Sequence, residues 1–285
     1  MKKIDAAAVG IGLRAPHYQD VLSSLPDIGF LEIHSENYFN PHSKNHFYLE
    51  RIAEHYAMSF HGIGLSLGSS EPVNIEHLNN LKQLVDRFQP ALVSDHLSWC
   101  SLQGHFFNDL LPIPYTEEAL SCFIKNVNQV QDHLQRQILI ENPSSYLEYK
   151  NSEMNEAEFI NEIAKQTGCG ILLDLNNVYV SATNHQFSIA QYLDLIAPQA
   201  VQEIHLAGFS KKEHNGGTIL IDTHSTFVSQ AVWDIYRGYI SSTNSDAVTL
   251  IEWDLDIPAL ETLLEEHNKA QKIRQAISGG GINES

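Results

Sequence analysis

The sequence predicts an α/β protein built around a closed (β/α)8 barrel, the TIM-barrel class. Two observations support this prediction: eight short apolar runs alternate with longer amphipathic stretches, and no linker or low-complexity block interrupts them. Such alternation is typical of parallel βαβ units, and eight units in a chain of 285 residues favour a closed barrel over an open sheet. We therefore expect a single barrel domain over residues 1–276 and a disordered tail at residues 277–285.

The predicted strands are the short apolar runs, and the predicted helices lie between them. The strands are residues 7–13, 30–37, 58–65, 91–99, 138–146, 170–178, 201–208 and 248–254. The helices are roughly residues 16–25, 43–56, 73–88, 116–135, 155–166, 188–196, 225–241 and 257–275. Two helix starts have capping residues: Thr116, followed by Glu117 and Glu118, and Asn155.

Composition and charge exclude several classes of protein. The net charge of −18 argues against an extended nucleic-acid-binding face, because phosphate neutralisation requires Lys and Arg. The three cysteines are widely spaced, which disfavours a disulfide framework, whereas an acidic chain with 15 histidines suits cations held by carboxylate and imidazole. The first residues do not resemble a signal peptide, and no run reaches the roughly 20 apolar residues of a membrane span. We therefore expect a cytoplasmic protein that binds neither nucleic acid nor membrane.

Ionisable side chains stand at the carboxyl ends of the predicted strands. They are His61, Asp95, His96, Glu141, Asp174, His205 and Glu252. In a barrel of this class these ends meet at one mouth, where active sites are built. Because side chains alternate along a strand, Glu141, Asp174 and Glu252 share their faces with apolar residues and are expected to point into the barrel. The sequence therefore predicts a pocket of carboxylates and imidazoles at the mouth.

Two further segments add donors to this pocket. The stretch LLDLNNVYVSATNH, residues 172–185, continues past its strand to Asn177 and His185. The segment TILIDTH, between the seventh and eighth predicted strands, carries Asp222 and His224. These two residues are two positions apart, so they point the same way in an extended loop. We expect this loop to deliver a ligand pair over the mouth.

Bound cations are the physical reason for such a pocket to be stable. Carboxylates at close range repel, and burying an unpaired charge costs several kcal/mol. One metal takes about four to six ligands, so this many donors indicates two or three metals, with Glu141 in the middle of the set as the natural bridge. A centre of this kind activates water, or dioxygen if the metal is iron.

Each donor also has a structural interpretation. A single histidine at a strand end is more often a hydrogen-bonded structural residue than a ligand, and this interpretation is kept for His34, His105 and His133. Asp95 fits the orientation of a neighbouring imidazole about as well as it fits metal binding. The structural interpretation does not explain the joint pattern over successive strand ends.

Long motifs resemble a known family. They are GLRAPHY, EIHSENYF, SFHGIGLSLGS, VSDHLSW, LLPIPYTEEAL, ENPSSY, LLDLNNVYVSATNH, EIHLAG, IDTH and LIEWD. These motifs are similar to those of the multinuclear non-haem iron-dependent oxidative enzymes typified by the methanobactin-biosynthesis oxygenase. The resemblance covers about residues 7–265. It implies a xylose-isomerase-like barrel with two or three metals at the mouth.

The resemblance also implies a ligand set. The set comprises His61 and His96 on a first metal, Asp174, His205 and Glu252 on a second, and Asn177, Asp222 and His224 on a third. Glu141 is implied as the carboxylate that bridges two metals, and Asp95 stands beside the first metal as a candidate proton acceptor. An amide is a weak neutral ligand, so the metal beside Asn177 is expected to be labile. His185 receives no definite position.

The implied activity is oxidation of cysteine residues in a ribosomally made peptide, with iron and dioxygen. It implies two or three iron ions per chain, O2 as co-substrate, a Cys-containing peptide and a small helper protein encoded nearby. The thiolate form of cysteine is both the reactive form and a good iron ligand. The sequence itself shows neither the iron nor the peptide.

Two other hypotheses stay open at this point. One is a hydrolase or isomerase that uses zinc, manganese or magnesium in the same barrel, and the other is a metal-dependent scaffold without catalysis. The negative charge disfavours a DNA-repair activity, and no lysine of the kind that isomerases of this fold use falls in the strand-end motifs. The scaffold hypothesis leaves so complete a ligand set unexplained.

Overall fold

The computed structural model describes residues 2–214 and 216–280 and confirms the closed (β/α)8 barrel. The strands in chain order are β1 (Val9–Gly12), β2 (Phe30–His34), β3 (Met58–His61), β4 (Leu92–His96), β5 (Trp99–Leu102), β6 (His105–Leu111), β7 (Leu139–Glu141), β8 (Gly170–Asp174), β9 (Val201–Leu206), β10 (Ser210–His214), β11 (Gly217–Ile221) and β12 (Val248–Ile251). All except β5, β6, β10 and β11 form the parallel barrel, which β12 closes by pairing with β1.

Helices surround the barrel. They are α1 (Tyr18–Ser24), α2 (Lys44–Ala53), α3 (Ile75–Phe88), α4 (Glu117–Leu134), α5 (Glu156–Thr167), α6 (Leu175–His185), α7 (Ile189–Leu195), α8 (Gln230–Thr243) and α9 (Leu260–Gly280). Each of the predicted helices has a counterpart among them, and α6 is the additional one. Their apolar faces pack against the outward-facing residues of the strands in one extended core. Burial of apolar surface on that side holds the strand ends, and therefore the site, in fixed positions.

The helix caps predicted from the sequence are confirmed. The side chain of Thr116 accepts a hydrogen bond from the backbone N–H of Ala119, 3.2 Å away, at the start of α4. At the start of α5, Asn155 and Glu158 form a reciprocal capping box.

The region after β8 differs from the prediction. The sequence predicts a strand through residue 178, but β8 ends at Asp174 and α6 begins at once at Leu175. The β-branched and aromatic residues at 178–180 favour a strand by propensity. The side chain of Asp174 overrides that propensity, because its Oδ1 accepts the N–H of Asn177 at 2.6 Å and caps the helix.

Two antiparallel hairpins extend from the mouth of the barrel. β5 pairs with β6 after β4, and β10 pairs with β11 after β9. The sequence predicts neither hairpin. Most of TILIDTH belongs to β11, so residues 222–224 alone form the loop expected there.

The interior of the barrel is layered. At its amino end, Phe30, Val248 and Leu250 pack in a small apolar cluster. Just below the mouth, the inward-facing residue is apolar on some strands and polar on others. The polar ones are Glu32, Ser59, Ser94 and Glu203. All are buried beneath the ionisable residues at the strand ends, so they form a second polar layer.

The structure describes only the first residues of the tail that was expected to be disordered, 277–285. Helix α9 continues to Gly280 and so includes the first residues of the segment 277–285, while residues 281–285 lie outside the described part of the chain. Within residues 2–214 and 216–280, no helix has the length and hydropathy needed to cross a membrane.

Candidate metal centre

The carboxyl ends of the barrel strands bring the ionisable side chains together. Strand register places His96 opposite Glu141 on neighbouring strands, and Asp174 opposite His205. These residues are all buried. Of the nine residues predicted as metal ligands, seven fall into three-residue clusters with metal-ligand spacing. They are His61, His96, Glu141, Asp174, His205, His224 and Glu252.

The first group consists of His61, His96 and Glu141. The Nε2 atoms of the two histidines are 3.3 Å apart. Oε2 of Glu141 is 3.2 Å from Nε2 of His61 and 3.3 Å from Nε2 of His96. A tetrahedral ion with bonds of about 2.0–2.1 Å separates its ligand atoms by roughly this distance. The three atoms therefore have the spacing of ligands to one metal.

The other ring nitrogen of each histidine has a partner, and the partner of His96 fixes its tautomer. Nδ1 of His96 is 3.2 Å from the carbonyl oxygen of Gly62, which can only accept, so Nδ1 carries the proton and Nε2 keeps its lone pair. Nδ1 of His61 is 2.8 Å from the hydroxyl of Ser94. Burial lowers the pKa of His96 to about 4 and that of His61 well below its usual value. Both imidazoles are therefore neutral, as metal binding requires.

The second group shares Glu141 with the first. Oε1 of Glu141 lies 3.9 Å from Nδ1 of His205, and the same Nδ1 is 3.0 Å from Oε2 of Glu252. Asp174 completes the cluster with Glu141 and His205. Burial raises the pKa of Glu141 well above its usual range and that of Asp174 to about 7. Carboxylates with raised pKa values bind a proton readily, and a cation can take the place of that proton.

Two neighbouring imidazoles stabilise the negative charge of Glu252. Burial opposes its ionisation, but His224 and His205 together outweigh burial and hold the pKa of Glu252 well below its usual range. Burial opposes protonation of His205 in turn, yet Glu32 and Glu252 raise its pKa well above the usual value. Without metal, a proton on the ring of His205 supplies positive charge that offsets the charge of Glu32 and Glu252. Metal binding would release that proton, because a ligating imidazole is neutral at the nitrogen that binds.

The third group lies nearest the rim. Nε2 of His224 is 2.7 Å from Oδ1 of Asp222 and 4.0 Å from Oδ2 of Asp174, while its Nδ1 is 3.2 Å from Oε2 of Glu252. The backbone of His224 has φ of 45°, in the left-handed region. The N–H of Asp254 donates to the carbonyl of His224 at 2.7 Å and holds this conformation. The predicted pair of Asp222 and His224 is therefore in direct contact.

Asn177 does not contact that pair as expected. Its Nδ2 donates to the carbonyl of Asn142 at 3.1 Å and lies 3.4 Å from Oε1 of Glu141. Asn176 is the amide beside the rim, where its Nδ2 donates to Oδ1 of Asp222 at 2.6 Å. The reason is helix geometry: both residues belong to the first turn of α6, and consecutive helical residues point about 100° apart.

Asp95 faces away from the clusters. Its Oδ2 accepts the N–H of Leu65 at 3.2 Å, and its Oδ1 accepts the N–H of His96 at 2.7 Å. His96 points into the barrel, so the preceding residue on the strand points out. Burial raises the pKa of Asp95 to about 7. Both contacts are to backbone N–H groups, so Asp95 holds the loop after β3 against β4, and neither contact reaches an imidazole ring or a metal cluster.

His185 is also separate from the clusters. It ends α6, and its Nε2 is 2.8 Å from the carbonyl oxygen of Ser145, in the loop after β7. Its Nδ1 is 3.7 Å from Oε2 of Glu148. These contacts give His185 a role in holding that loop against α6.

Sequence reasoning missed three residues beside Glu252. His34, interpreted as structural, lies with Nε2 3.4 Å from Oε1 of Glu252. Arg14 reaches the same oxygen at 3.4 Å, donates to Nε2 of His34 at 3.0 Å, and pairs with Asp254. No local signal marks Arg14, because the contact depends on the closure of β1 against β12. His34, by contrast, ends β2 just as His61 ends β3, and strand-end position was the available signal.

The second polar layer was missed as well. Ser59, Ser94 and Glu203 each stand two positions before a histidine of the centre, and Glu32 stands two positions before His34. Residues two apart on a strand share a face. The period of two therefore offered a usable signal for these supporting residues.

The donor chemistry of the cluster fits bound metal. Several buried atoms in the described residues have no hydrogen-bond partner. Among those in the centre are Oε2 of Glu141, Oδ2 of Asp174 and Oδ1 of Asn177. Buried polar atoms normally have partners, and leaving one without costs about 1–3 kcal/mol. Divalent cations bound by imidazole and carboxylate would satisfy these atoms.

Fold and site together define a class: a (β/α)8 barrel whose mouth holds adjoining clusters of imidazole and carboxylate suited to several metal ions. The family model described as "RiPP precursor modification enzyme MbnB/TglH/ChrH" matches residues 8–275. The chain therefore belongs to this family of enzymes, which modify ribosomally made precursor peptides. The resemblance seen in the sequence motifs is confirmed.

Close relatives are similar over nearly their full length. A "UPF0276 protein" from Psychromonas ingrahamii is 72% identical over 277 residues, which is 97% of this chain and 98% of the relative. A "UPF0276 protein" from Vibrio vulnificus is 55% identical over 268 residues, covering 94% of this chain and 92% of the relative.

Solved structures of low identity share the fold. A D-psicose 3-epimerase crystallised with D-fructose aligns with a TM-score of 0.61 at 12% identity, covering 95% of this chain and 99% of that one. A xylose isomerase-like TIM barrel protein from Mycobacterium smegmatis, in complex with magnesium, aligns with a TM-score of 0.55 at 13% identity, covering 97% and 99%. At such identity the likeness shows the xylose-isomerase-like barrel and nothing about the reaction.

Proposed function

We propose that this enzyme oxidises cysteine residues of a ribosomally made precursor peptide, using two or three iron ions and dioxygen. The observation that carries the proposal is the buried cluster of imidazole and carboxylate atoms, in a chain whose family modifies such peptides. Iron suits this donor set, because imidazole and carboxylate both bind it. The iron and dioxygen are supported by the resemblance of the sequence motifs.

Each group of side chains has a defined task in this proposal. His61 and His96 would present Nε2 to one ion, because Nδ1 of each ring is already held by a hydrogen-bond partner. Glu141 would bridge, because Oε2 faces these histidines while Oε1 faces His205. The remaining carboxylates balance the positive charge. Preorganised ligands of this kind need little rearrangement when metal binds.

Asp222 and His224 would hold the ion nearest solvent, with Asp174 between them and the second group. When bound, the iron ions would supply a coordination position for the substrate thiolate and the redox chemistry for its oxidation by dioxygen. The protein's own contribution is to exclude water below the rim, since the ligands beneath are almost fully buried.

The rim is suited to a peptide and a protein partner. Large apolar side chains are exposed on the loops that follow the barrel strands. They are Ile63, Phe106, Phe107, Tyr146, Leu147, Tyr149, Phe227 and Leu255. Exposed apolar residues gathered on one face are typical of an interaction surface. We propose that a Cys-containing peptide, presented by a small helper protein, binds over this face.

The proposal is tested with protein purified without oxygen. We expect about two to three irons per chain by metal analysis. After addition of dioxygen, a Cys-containing precursor peptide encoded near the gene, together with its helper protein, should change in mass. The same peptide with Cys→Ser should keep its mass. Stoichiometric zinc in active protein, or an unchanged cysteine peptide with iron, helper and oxygen all present, would contradict the proposal.

No structural observation favours the hydrolase or isomerase alternative. The epimerases share the fold at 10–13% identity, which carries no information on the reaction. The metal analysis above separates the two, because that alternative expects zinc, manganese or magnesium.

A further inference from the structure

Two carboxylates lie beneath the metal centre and have no part in the proposed reaction. Glu32 and Glu203 are both fully buried, and the hydroxyl of Ser59 connects them. Its Oγ donates to Oε2 of Glu32 at 2.8 Å and lies 3.3 Å from Oε2 of Glu203. Burying a carboxylate away from water is costly unless it is paired or hydrogen-bonded. Their position therefore calls for a function.

We propose that Glu32 is a positioning residue: it holds Nε2 of His205 so that Nδ1 faces the metal, and Ser59 and Glu203 keep Glu32 in place. The inference rests on the proposed metal centre and adds to it the group that orients its central histidine. Glu203 and Ser59 support Glu32 within the same polar layer: Ser59 is on the neighbouring strand β3, and Glu203 is on β9, three strands away around the barrel.

The geometry of His205 supports this assignment. Nδ1 lies 3.0 Å from Oε2 of Glu252 and 3.9 Å from Oε1 of Glu141, inside the centre. Nε2 points the opposite way and lies 3.3 Å from Oε1 of Glu32. A neutral imidazole that binds metal through one nitrogen carries its proton on the other, and that proton needs an acceptor. Glu32 is the carboxylate nearest to it.

His205 differs from the other two histidines of the centre in the nitrogen that faces the metals and in the partner of its other nitrogen. His61 and His96 direct Nε2 into the centre. Their Nδ1 atoms contact neutral partners, the hydroxyl of Ser94 and the carbonyl of Gly62 respectively. His205 instead directs Nδ1 into the centre, and its Nε2 faces the carboxylate of Glu32. A carboxylate behind a ligating histidine raises the basicity of the ligand and fixes its orientation. The metal on His205 should therefore be the more tightly held of the two that share Glu141.

A cation beneath the centre is the competing interpretation. One carboxylate oxygen from each of Glu32 and Glu203 and one ring nitrogen of His205 lie within 4.8 Å of one another, as metal ligands do. Two features disfavour a metal there. His205 would have to lose both ring protons in order to bind metals on both sides. The cluster also offers only three ligand atoms, fewer than the four that a metal normally needs.

The test measures ferrous iron bound by the whole protein, loaded without oxygen. Glu32→Gln keeps the size of the side chain and removes its charge, and Ser59→Ala removes the hydrogen bond that holds Glu32. Both variants should bind the His205 metal about 10–100-fold more weakly. The occupancy of each position is read from anomalous diffraction and from the Mössbauer spectrum. The metal on His61 and His96 should be retained.

Ser94→Ala is the matched control, because Ser94 supports His61 in the same layer. It should weaken the metal on His61 and His96 and leave the His205 metal in place. Full occupancy and an unchanged spectrum in both Glu32→Gln and Ser59→Ala would overturn the assignment. An anomalous peak between Glu32 and Glu203 in the unmodified protein would also overturn it, in favour of a deep cation site. Metal affinity is read without any peptide, so failure of the proposed oxidation would be seen separately, as an unmodified peptide.

Discussion

At the scale of the residue, Glu141 connects two groups of candidate metal ligands. Its two oxygens face different histidines: Oε2 faces His61 and His96, and Oε1 faces His205. Its position on β7, between β4 and β8 in the barrel, makes this possible. A side chain that contributes to two metals should have a different mutational effect from a side chain that contributes to one.

Glu141→Ala should therefore lose two metals together. His61 and His96 would be left with no carboxylate in their group, and the second group would lose the oxygen that faces His205. We expect the iron content to fall by about two ions per chain, and peptide oxidation to be abolished. Glu148→Ala, an exposed glutamate in the loop after the same strand, is the control and should bind iron normally. Loss of one ion only from Glu141→Ala would refute the bridging role.

Arg14 acts as a permanent cation in the same mouth. His34, Glu252 and Asp254 have the spacing of a metal site, but the guanidinium of Arg14 contacts all three. Burial opposes the charge on Arg14, while Asp254 and Glu252 favour it strongly enough that its pKa stays raised. We infer that the arginine takes the place of a further ion there.

Arg14→Met should destabilise the metal-free protein by roughly 3 kcal/mol, because it leaves the buried Glu252 and the half-buried Asp254 without their partner. Urea unfolding of the protein with metal removed measures this difference. Arg87→Met is the matched control, since Arg87 pairs with Glu50 at the surface and should change stability far less. Equal stability of Arg14→Met and the unmodified protein would show that Arg14 is not needed to balance the cluster.

At the scale of the element, the site depends on loops that meet closely above the strands. Gly208 follows β9, and a Cβ added there would collide with the backbone carbonyl oxygen of Thr226. Residue 226 belongs to the loop that carries Asp222 and His224. The absence of a side chain at Gly208 thus lets this loop lie against the strand end.

Gly208→Ala should push the loop outward. We expect a loss of roughly 1–3 kcal/mol of stability, typical of overpacking, and weaker binding of the metal nearest the rim. Thermal unfolding and iron content report the two effects. Gly238→Ala, within α8 where an added Cβ meets no neighbour, should instead raise stability by about 0.5–1 kcal/mol through helix propensity. Similar behaviour of the two variants would contradict the steric argument.

What the sequence could predict follows from the range of the interactions. The ends of β3, β7 and β12 were recognisable because His61, Glu141 and Glu252 each terminate an apolar run, a local signal. Helix α6 could not be recognised from the sequence. The side chain of Asp174 caps its first turn, and this cap outweighs the strand propensity of the residues that follow. Arg14 could not be recognised, because its carboxylate partners lie about 240 residues away and meet it only through barrel closure.

At the scale of the whole molecule, the barrel collects negative charge at its mouth. The chain has a net charge of −18, and carboxylates from β7, β8 and β12 lie together below the rim. Like charges at this distance repel, and the imidazoles between them offset the repulsion only in part. The fold is therefore expected to be more stable with its metals than without them.

Removal of metal should lower the melting temperature of the whole protein. A ligand that binds the folded state alone stabilises it by RT ln(1 + [L]/Kd), about 2.7 kcal/mol when its concentration is a hundred times Kd. Calorimetry of chelated protein, and of the same protein after ferrous iron is restored without oxygen, measures the effect and its reversal. Glu141→Ala should show a much smaller shift between the two states, because it lacks the shared ligand. An equal shift in that variant would mean that the stabilising ions bind elsewhere, and the same melting temperature with and without metal in the unmodified protein would mean that the cluster is balanced by protons alone.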